Sequence, residues 1–244
     1  MADIIQKNGG AHSPGGGSGL GAGAVMIIAS VILGIVFFTN GSFIALAAGA
    51  LSLIIGIAVL YASAGRLKEN AEIKSYGNKG ERRAGFILEK YLPDGYTVIQ
   101  NAVIRYNGET SETDNIVVGR TGVFIIEVKN MKGTVYGDYD EKSWEKVKTD
   151  RYNIEHESIF HSPVKQVGTH RYRLAKLLRA NGIRCDVECA VYFVNPETVL
   201  KISGDGDVPV LTSGETRELI NYITRREAVL DGSTVNRIID LLTK

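Results

Sequence analysis

The sequence predicts a mixed α/β domain, a β-sheet flanked by helices, preceded by a hairpin of two transmembrane α-helices. Three observations lead there. No Asp, Glu, Lys or Arg occurs from Asn8 to Gly65, and every charged side chain except Asp3 and Lys7 lies beyond Gly65. Two apolar runs, Leu20–Phe38 and Phe43–Ala64, fill that charge-free quarter. Beyond it, helical and alternating hydrophobic periodicities follow one another, as in a sheet with helices packed on it.

The 244 residues leave room for one or two domains. Lys and Arg number 28 against 27 Asp and Glu, so the chain is no gross polycation. Its two cysteines, Cys185 and Cys189, lack the second ligand pair of a zinc ribbon. If Val187–Val194 is a strand, Cys189 shares a face with Val187, Val191 and Phe193 and belongs to the core. Nothing calls for an oxidising compartment.

Residues 1–19 read as a flexible tail, because Gly9–Gly19 is Gly- and Ser-rich. The transmembrane region covers 20–65, with spans at 20–38 and 43–64. Each run at about 1.5 Å per residue reaches across ~30 Å of hydrocarbon. Thr39–Ser42 is a short polar turn. Ala45, Gly49, Ser52 and Gly56 place small side chains along the second span, where they let two helices approach closely or let two chains self-associate. Arg66, Lys68, Lys74 and Lys79 follow that span and the turn has no charge, so both ends and the domain are expected in the cytoplasm.

Residues 66–79 read as a polar linker, with helix open as an alternative over Lys68–Lys79. A helix follows over Gly80–Leu92, stopped by Pro93-Asp94-Gly95. Tyr96–Ile104 alternates like a strand and Asn107-Gly108 signals a turn. Gly119 and Gly122 bracket a second turn between Asp114–Val118 and Val123–Lys129, where glycine would supply positive φ. Gly133–Tyr139 is a short strand. Asp140–Glu157 is polar and shows no clear element. Its Trp144 is expected as a packing anchor. Pro163 opens a helix through Arg179, Val187–Val194 and Val208–Leu211 are strands, and two short helices end the chain. Ser213 and Ser233 are the expected caps of those helices.

The second hairpin carries the candidate chemistry. If Val118 pairs with Val123, Asp114 falls opposite Glu127, and Lys129 points to the same face. Two facing carboxylates repel, the more so within an apolar strand. Such a pair implies a divalent cation between them, with a lysine beside it. The basic residues Lys165, His170, Arg171, Arg173, Lys176 and Arg179 gather on or near one helix. They fit a phosphate backbone, a solvated face or an anionic lipid surface. His156, His161 and His170 fit no ligand pair by spacing and read as surface residues.

Asp114, then Glu127-Val128-Lys129 after a hairpin, resembles the core motif of the PD-(D/E)xK nuclease superfamily. The ordered series is longer: Gly80-Glu81, Asp114-Asn-Ile-Val-Val, Gly122-Val-Phe-Ile-Ile-Glu127-Val-Lys129-Asn130, Gly133, Trp144 and Pro163-Val-Lys-Gln166. It is similar to the NERD, or nuclease-related, domain over about 80–178. The resemblance implies a restriction-endonuclease-like fold over 80–195, followed by an extension over 196–244. It implies hydrolysis of phosphodiester bonds in DNA or RNA with Mg²⁺ (or Mn²⁺). It assigns Asp114 and Glu127 as metal ligands, Glu81 as a further ligand directly or through water, Lys129 as activator of the attacking water, and Gln166 as a neighbour of the site.

Overall fold

A computed structural model describes residues 2–6, 17–41 and 43–244, the side chains of 17–21 excepted. Most of the Gly-rich tail, with His12, and Ser42 of the connector lie outside the described residues. The chain divides into two units, residues 10–76 and residues 1–9 with 77–244.

The first unit is built from helix α1 (Gly17–Asn40) and the opening part of helix α2 (Phe43–Tyr91). The small residues of the second run face α1 as expected. A Cβ on Gly56 would stand 3.2 Å from Gly23 O, and one on Gly49 3.2 Å from Ser30 O. Ser52 Oγ donates to Met26 O at 2.8 Å. Elsewhere the helices expose large apolar side chains such as Val31, Ile35, Leu51 and Ile54. Their most apolar windows have mean hydropathies of 2.5 and 2.6 but are only 6% and 17% buried. A soluble core helix would bury that surface, so both are candidate membrane spans. The segment 66–79, read as a linker, is helical throughout.

The second unit is mixed α/β. Its strands are β1 (Asp3–Gln6), β2 (Thr97–Tyr106), β3 (Glu109–Gly119), β4 (Gly122–Lys129), β5 (Gly133–Asp138), β6 (Ser143–Thr149), β7 (Glu155–His161), β8 (Val187–Phe193), β9 (Thr198–Ser203) and β10 (Val210–Thr212). Its helices are the end of α2, then α3 (Pro163–Ala180), α4 (Thr216–Thr224) and α5 (Gly232–Thr243). The single sheet expected is two. One runs β1-β2-β3-β4-β8-β10 and the other β7-β6-β5-β9. The residues after 195 therefore enter both sheets, through β9 and β10.

Alternation along the strands sorts the first sheet's side chains into two cores. Ile116, Val118, Val123, Ile125, Cys189, Val191 and Phe193 meet α3 and α5 on one face. Val117, Phe124, Ile126, Ala190 and Tyr192 meet the end of α2 and α4 on the other. Cys189 is a core residue, 1% exposed. Trp144 is the packing anchor expected: its indole is buried, edge-on to Phe160, and its Nε1 donates to Asp138 O at 2.9 Å.

Several local readings need correction. Gly119 is not at positive φ. A side chain there would collide with the Tyr96 ring, and Gly122 alone of the two has positive φ, at 136°. The caps of the last helices are the Thr212–Glu215 capping box, ahead of a short 3₁₀ turn, and Asp231, which accepts from Thr234 N at 2.7 Å. The short strand β1, inside the segment read as tail, adds parallel to β2 with Asp3 against Thr97.

Candidate metal and catalytic centre

The turn Arg120–Thr121 sets the register of β3 and β4. Gly119 pairs with Gly122 and Val118 with Val123, down to Asn115 with Ile126. The ladder stops there. Asp114 is next in line opposite Glu127, and its Oδ2 accepts from Val128 N at 2.7 Å. A side-chain bond thus replaces the next backbone rung and holds the carboxylate against β4. Ile125, Glu127 and Lys129 share the face covered by α3.

Glu127 is buried and Lys129 nearly so, with side-chain exposures of 2% and 17%. Lys129 Nζ lies 2.7 Å from Glu127 Oε1 and donates to Gln166 Oε1 at 3.0 Å. Gln166 comes from the first turn of α3. That helix is anchored by Val164, Val167, Leu174 and Leu178 in the core and capped by Ser162, whose side chain accepts from Lys165 N. Glu81 arrives on α2, whose Gly80 packs so closely on the Asn130 side chain that a Cβ would collide with it. The Glu81 charge reaches Glu127 and raises its pKa.

The electrostatics are those of an overcrowded acidic site. Burial first, and then the Glu127 charge, pushes Asp114 up to about 8, although the Val128 N–H bond and Lys129 pull the other way. Burial likewise raises Glu127 against the opposing pull of Lys129.

One residue was misjudged from sequence. His170 is buried, not on the surface, and its Nε2 lies 3.8 Å from Glu127 Oε2. Burial, then Arg173 and Lys129, lowers its pKa to about 4, so the imidazole is neutral at neutral pH. The available signal was its place one helical turn after Gln166, on the same side of α3. His156 and His161 are exposed.

The donor set suits a hard divalent cation. Glu127 Oε2 is buried and, among the described residues, has no hydrogen-bond partner. Mg²⁺ keeps several waters, so one or two carboxylates suffice. Among the described residues no three His, Cys, Asp or Glu side chains converge as a ready-made cage. The basic helix is less of a footprint than expected. Arg171 pairs with Asp207 and Arg173 with Glu109, both at 2.6 Å. The cavity of about 1110 Å³ lined by Arg171, Arg179, Cys185 and Asp207 includes none of Glu81, Asp114 and Glu127, so cavity size does not mark this centre.

An α/β domain with two opposed carboxylates and a lysine on one sheet face has the makings of a hydrolytic centre. Residues 76–194 match the model of the NERD family, described as the nuclease-related domain. An uncharacterized protein of Bacillus anthracis is 36% identical over 69 residues, which make up 28% of this chain and 32% of that protein. The match thus spans about a third of the relative's length. No solved structure matches the chain.

Proposed function

We propose that the chain is a membrane-anchored nuclease that hydrolyses phosphodiester bonds of DNA or RNA with Mg²⁺ or Mn²⁺, its domain in the cytoplasm. The observation that carries this reading is the pair of half-buried Asp114 and buried Glu127, with Lys129 bridging Glu127 and Gln166, inside the nuclease-related segment. It is the arrangement expected of the PD-(D/E)xK superfamily.

A phosphodiester resists hydrolysis because water is a poor nucleophile and the attacked group is an anion. A bound divalent cation supplies an acidified water and charge neutralisation of the phosphoryl oxygens. Asp114 and Glu127 are the residues that would hold it, with Glu81 beside Glu127. Lys129 keeps a positive charge where negative charge builds on the attacked group. Gln166, by accepting from Lys129, fixes where that ammonium points.

The test is cleavage of DNA and of RNA by the purified full chain in detergent, with Mg²⁺, with Mn²⁺ and with chelator. Metal-dependent cleavage that disappears in Glu127→Gln is the expected result. Cleavage that survives this substitution would remove the centre from the mechanism. A second reading is a tethered binding module without cleavage, favoured by the absence of three converged ligands among the described residues. It predicts binding of nucleic acid and no hydrolysis with either metal.

Two observations support the topology. Arg66, Lys68, Lys74 and Lys79 follow the second span, which favours a cytoplasmic domain. Asp3–Gln6, ahead of the first span, pairs with Thr97–Gln100, beyond the second. Strands of one sheet must lie on one side of a bilayer, so the chain crosses an even number of times between them. Reporters at the N-terminus and after Lys244 should both be active in the cytoplasm. Opposite sides for the two would refute the hairpin.

A further inference from the structure

We propose that His170 is a nitrogen ligand of the same metal centre, and that it turns the site from Mg²⁺ toward Mn²⁺ and similar borderline ions. The inference rests on the metal-dependent reading above and deepens it.

His170 is 8% exposed, and neither ring nitrogen has a hydrogen-bond partner among the described residues. Glu127 Oε2 is the other orphan of this face, with its side chain 2% exposed. Buried polar groups are nearly always satisfied, so two facing orphans point to something that binds both. Their separation of 3.8 Å is too long for a direct hydrogen bond. Two donors bonded to one ion at about 2.1 Å in an octahedral shell stand roughly 3.0 Å apart when cis and roughly 4.2 Å when trans, so a gap between these values lets a shared cation draw both in with a small side-chain movement.

The surroundings agree. Lys129 occupies Glu127 Oε1, which leaves Oε2 as the oxygen turned toward His170. Gln166 and His170 lie one turn apart on α3, so the helix that fixes the lysine also presents the imidazole. Glu127 and His170 form a pair of donors, with Asp114 close enough to feel the Glu127 charge and waters to complete the shell. A nitrogen donor adds little for Mg²⁺, which favours oxygen, and more for Mn²⁺ and the later divalent ions.

The experiment is pulsed electron paramagnetic resonance of the full chain in detergent loaded with Mn²⁺ alone, alongside Mn²⁺ and Mg²⁺ titrations. The wild-type chain should show ¹⁴N modulation from a directly bound imidazole, and this should change to the ¹⁵N pattern when histidine is ¹⁵N-labelled. His170→Gln should abolish it and weaken Mn²⁺ binding about tenfold, with Mg²⁺ affinity altered within about twofold. The labelled wild type needs no substitution to be informative, so a poorly folded variant does not blunt the test. Mn²⁺ binding that depends on Asp114 and Glu127 but lacks nitrogen coupling overturns the role of His170 and leaves the carboxylate centre standing. No Mn²⁺ binding at all overturns both.

Discussion

Asp114→Asn should lower cleavage at least about 10²-fold, as loss of a group acting on transition-state charge does, yet make the metal-free protein more stable at alkaline pH. The two effects share one cause. Burial and the Glu127 charge raise Asp114 from 3.8 to about 8 in the folded chain. The folded state then keeps a proton that the unfolded chain has released. Stability is therefore greatest at low pH and falls as pH rises from about 4 through about 8. His170 slopes the opposite way, because its folded pKa is depressed to about 4. Its contribution is lost as pH falls through the interval below 6.5, and the thiols Cys185 and Cys189, both raised from 9.0 by burial, act toward pH 9 alike in either protein, which leaves the difference between the two proteins to the carboxylates. Asparagine keeps an oxygen for the Val128 N–H and carries no charge. It should match the wild type near pH 4, pull ahead as pH rises, and exceed it by about 1–2 kcal/mol at pH 9 in chelator, the low end for a partly buried charge. Trp144, the single tryptophan, sits buried in the second sheet, so its fluorescence follows unfolding of the domain rather than of the spans. A saturating divalent cation should reverse the order, stabilising the wild type and not the variant. Equal pH dependence for the two proteins in chelator would show that Asp114 is not strained by its neighbours.

How the site came to be readable, and where reading stopped, has a local explanation. The register of β3 and β4 follows from a two-residue turn and from alternation, both short-range, so Asp114 opposite Glu127 could be placed by counting. Counting does not show that the ladder ends one pair earlier and that a side chain makes the next bond. The face of Cys189 was legible for the same reason of period. β7 was not, because most of Glu155–His161 is exposed and the strand has no buried stripe to betray it. β9 does alternate, with Thr198, Leu200 and Ile202 less exposed than their neighbours, so its period is legible in the sequence. β1 is set by pairing across both apolar helices, a contact that no window of sequence contains. Spacing to the other histidines does not place His170, because its relevant neighbour is Glu127, which the fold alone brings within 3.8 Å.

Lys129→Ala should do the reverse of Asp114→Asn for stability and the same for activity. The site crowds Asp114, Glu127 and the charge of Glu81 around one lysine, which touches Glu127. Taking away an acid relieves repulsion, and taking away the lysine leaves Glu127 buried with no cation. Breaking a buried pair from one side costs about 3–5 kcal/mol when the remaining group stays charged. Glu127 can escape that cost by taking up a proton, since burial already raises its pKa and the lysine is what restrains the rise. The loss should therefore be large at pH 8 and small at pH 5. Gln166 Oε1 also loses its donor, so the first turn of α3 should loosen. Cleavage should fall about 10²–10³-fold even with metal saturating, because the cation holds the substrate but not the charge that Lys129 contributes. Lys129→Arg separates the two roles: it restores a cation beside Glu127, so most of the stability should return, while a planar fork in place of a compact ammonium should leave cleavage impaired. Unfolding midpoints at the two pH values, with cleavage rates for both variants, decide the matter. A Lys129→Ala protein as stable as wild type at pH 8 would mean that Glu127 does not need its lysine. The account of the centre as a charge-crowded site awaiting a cation would then fail.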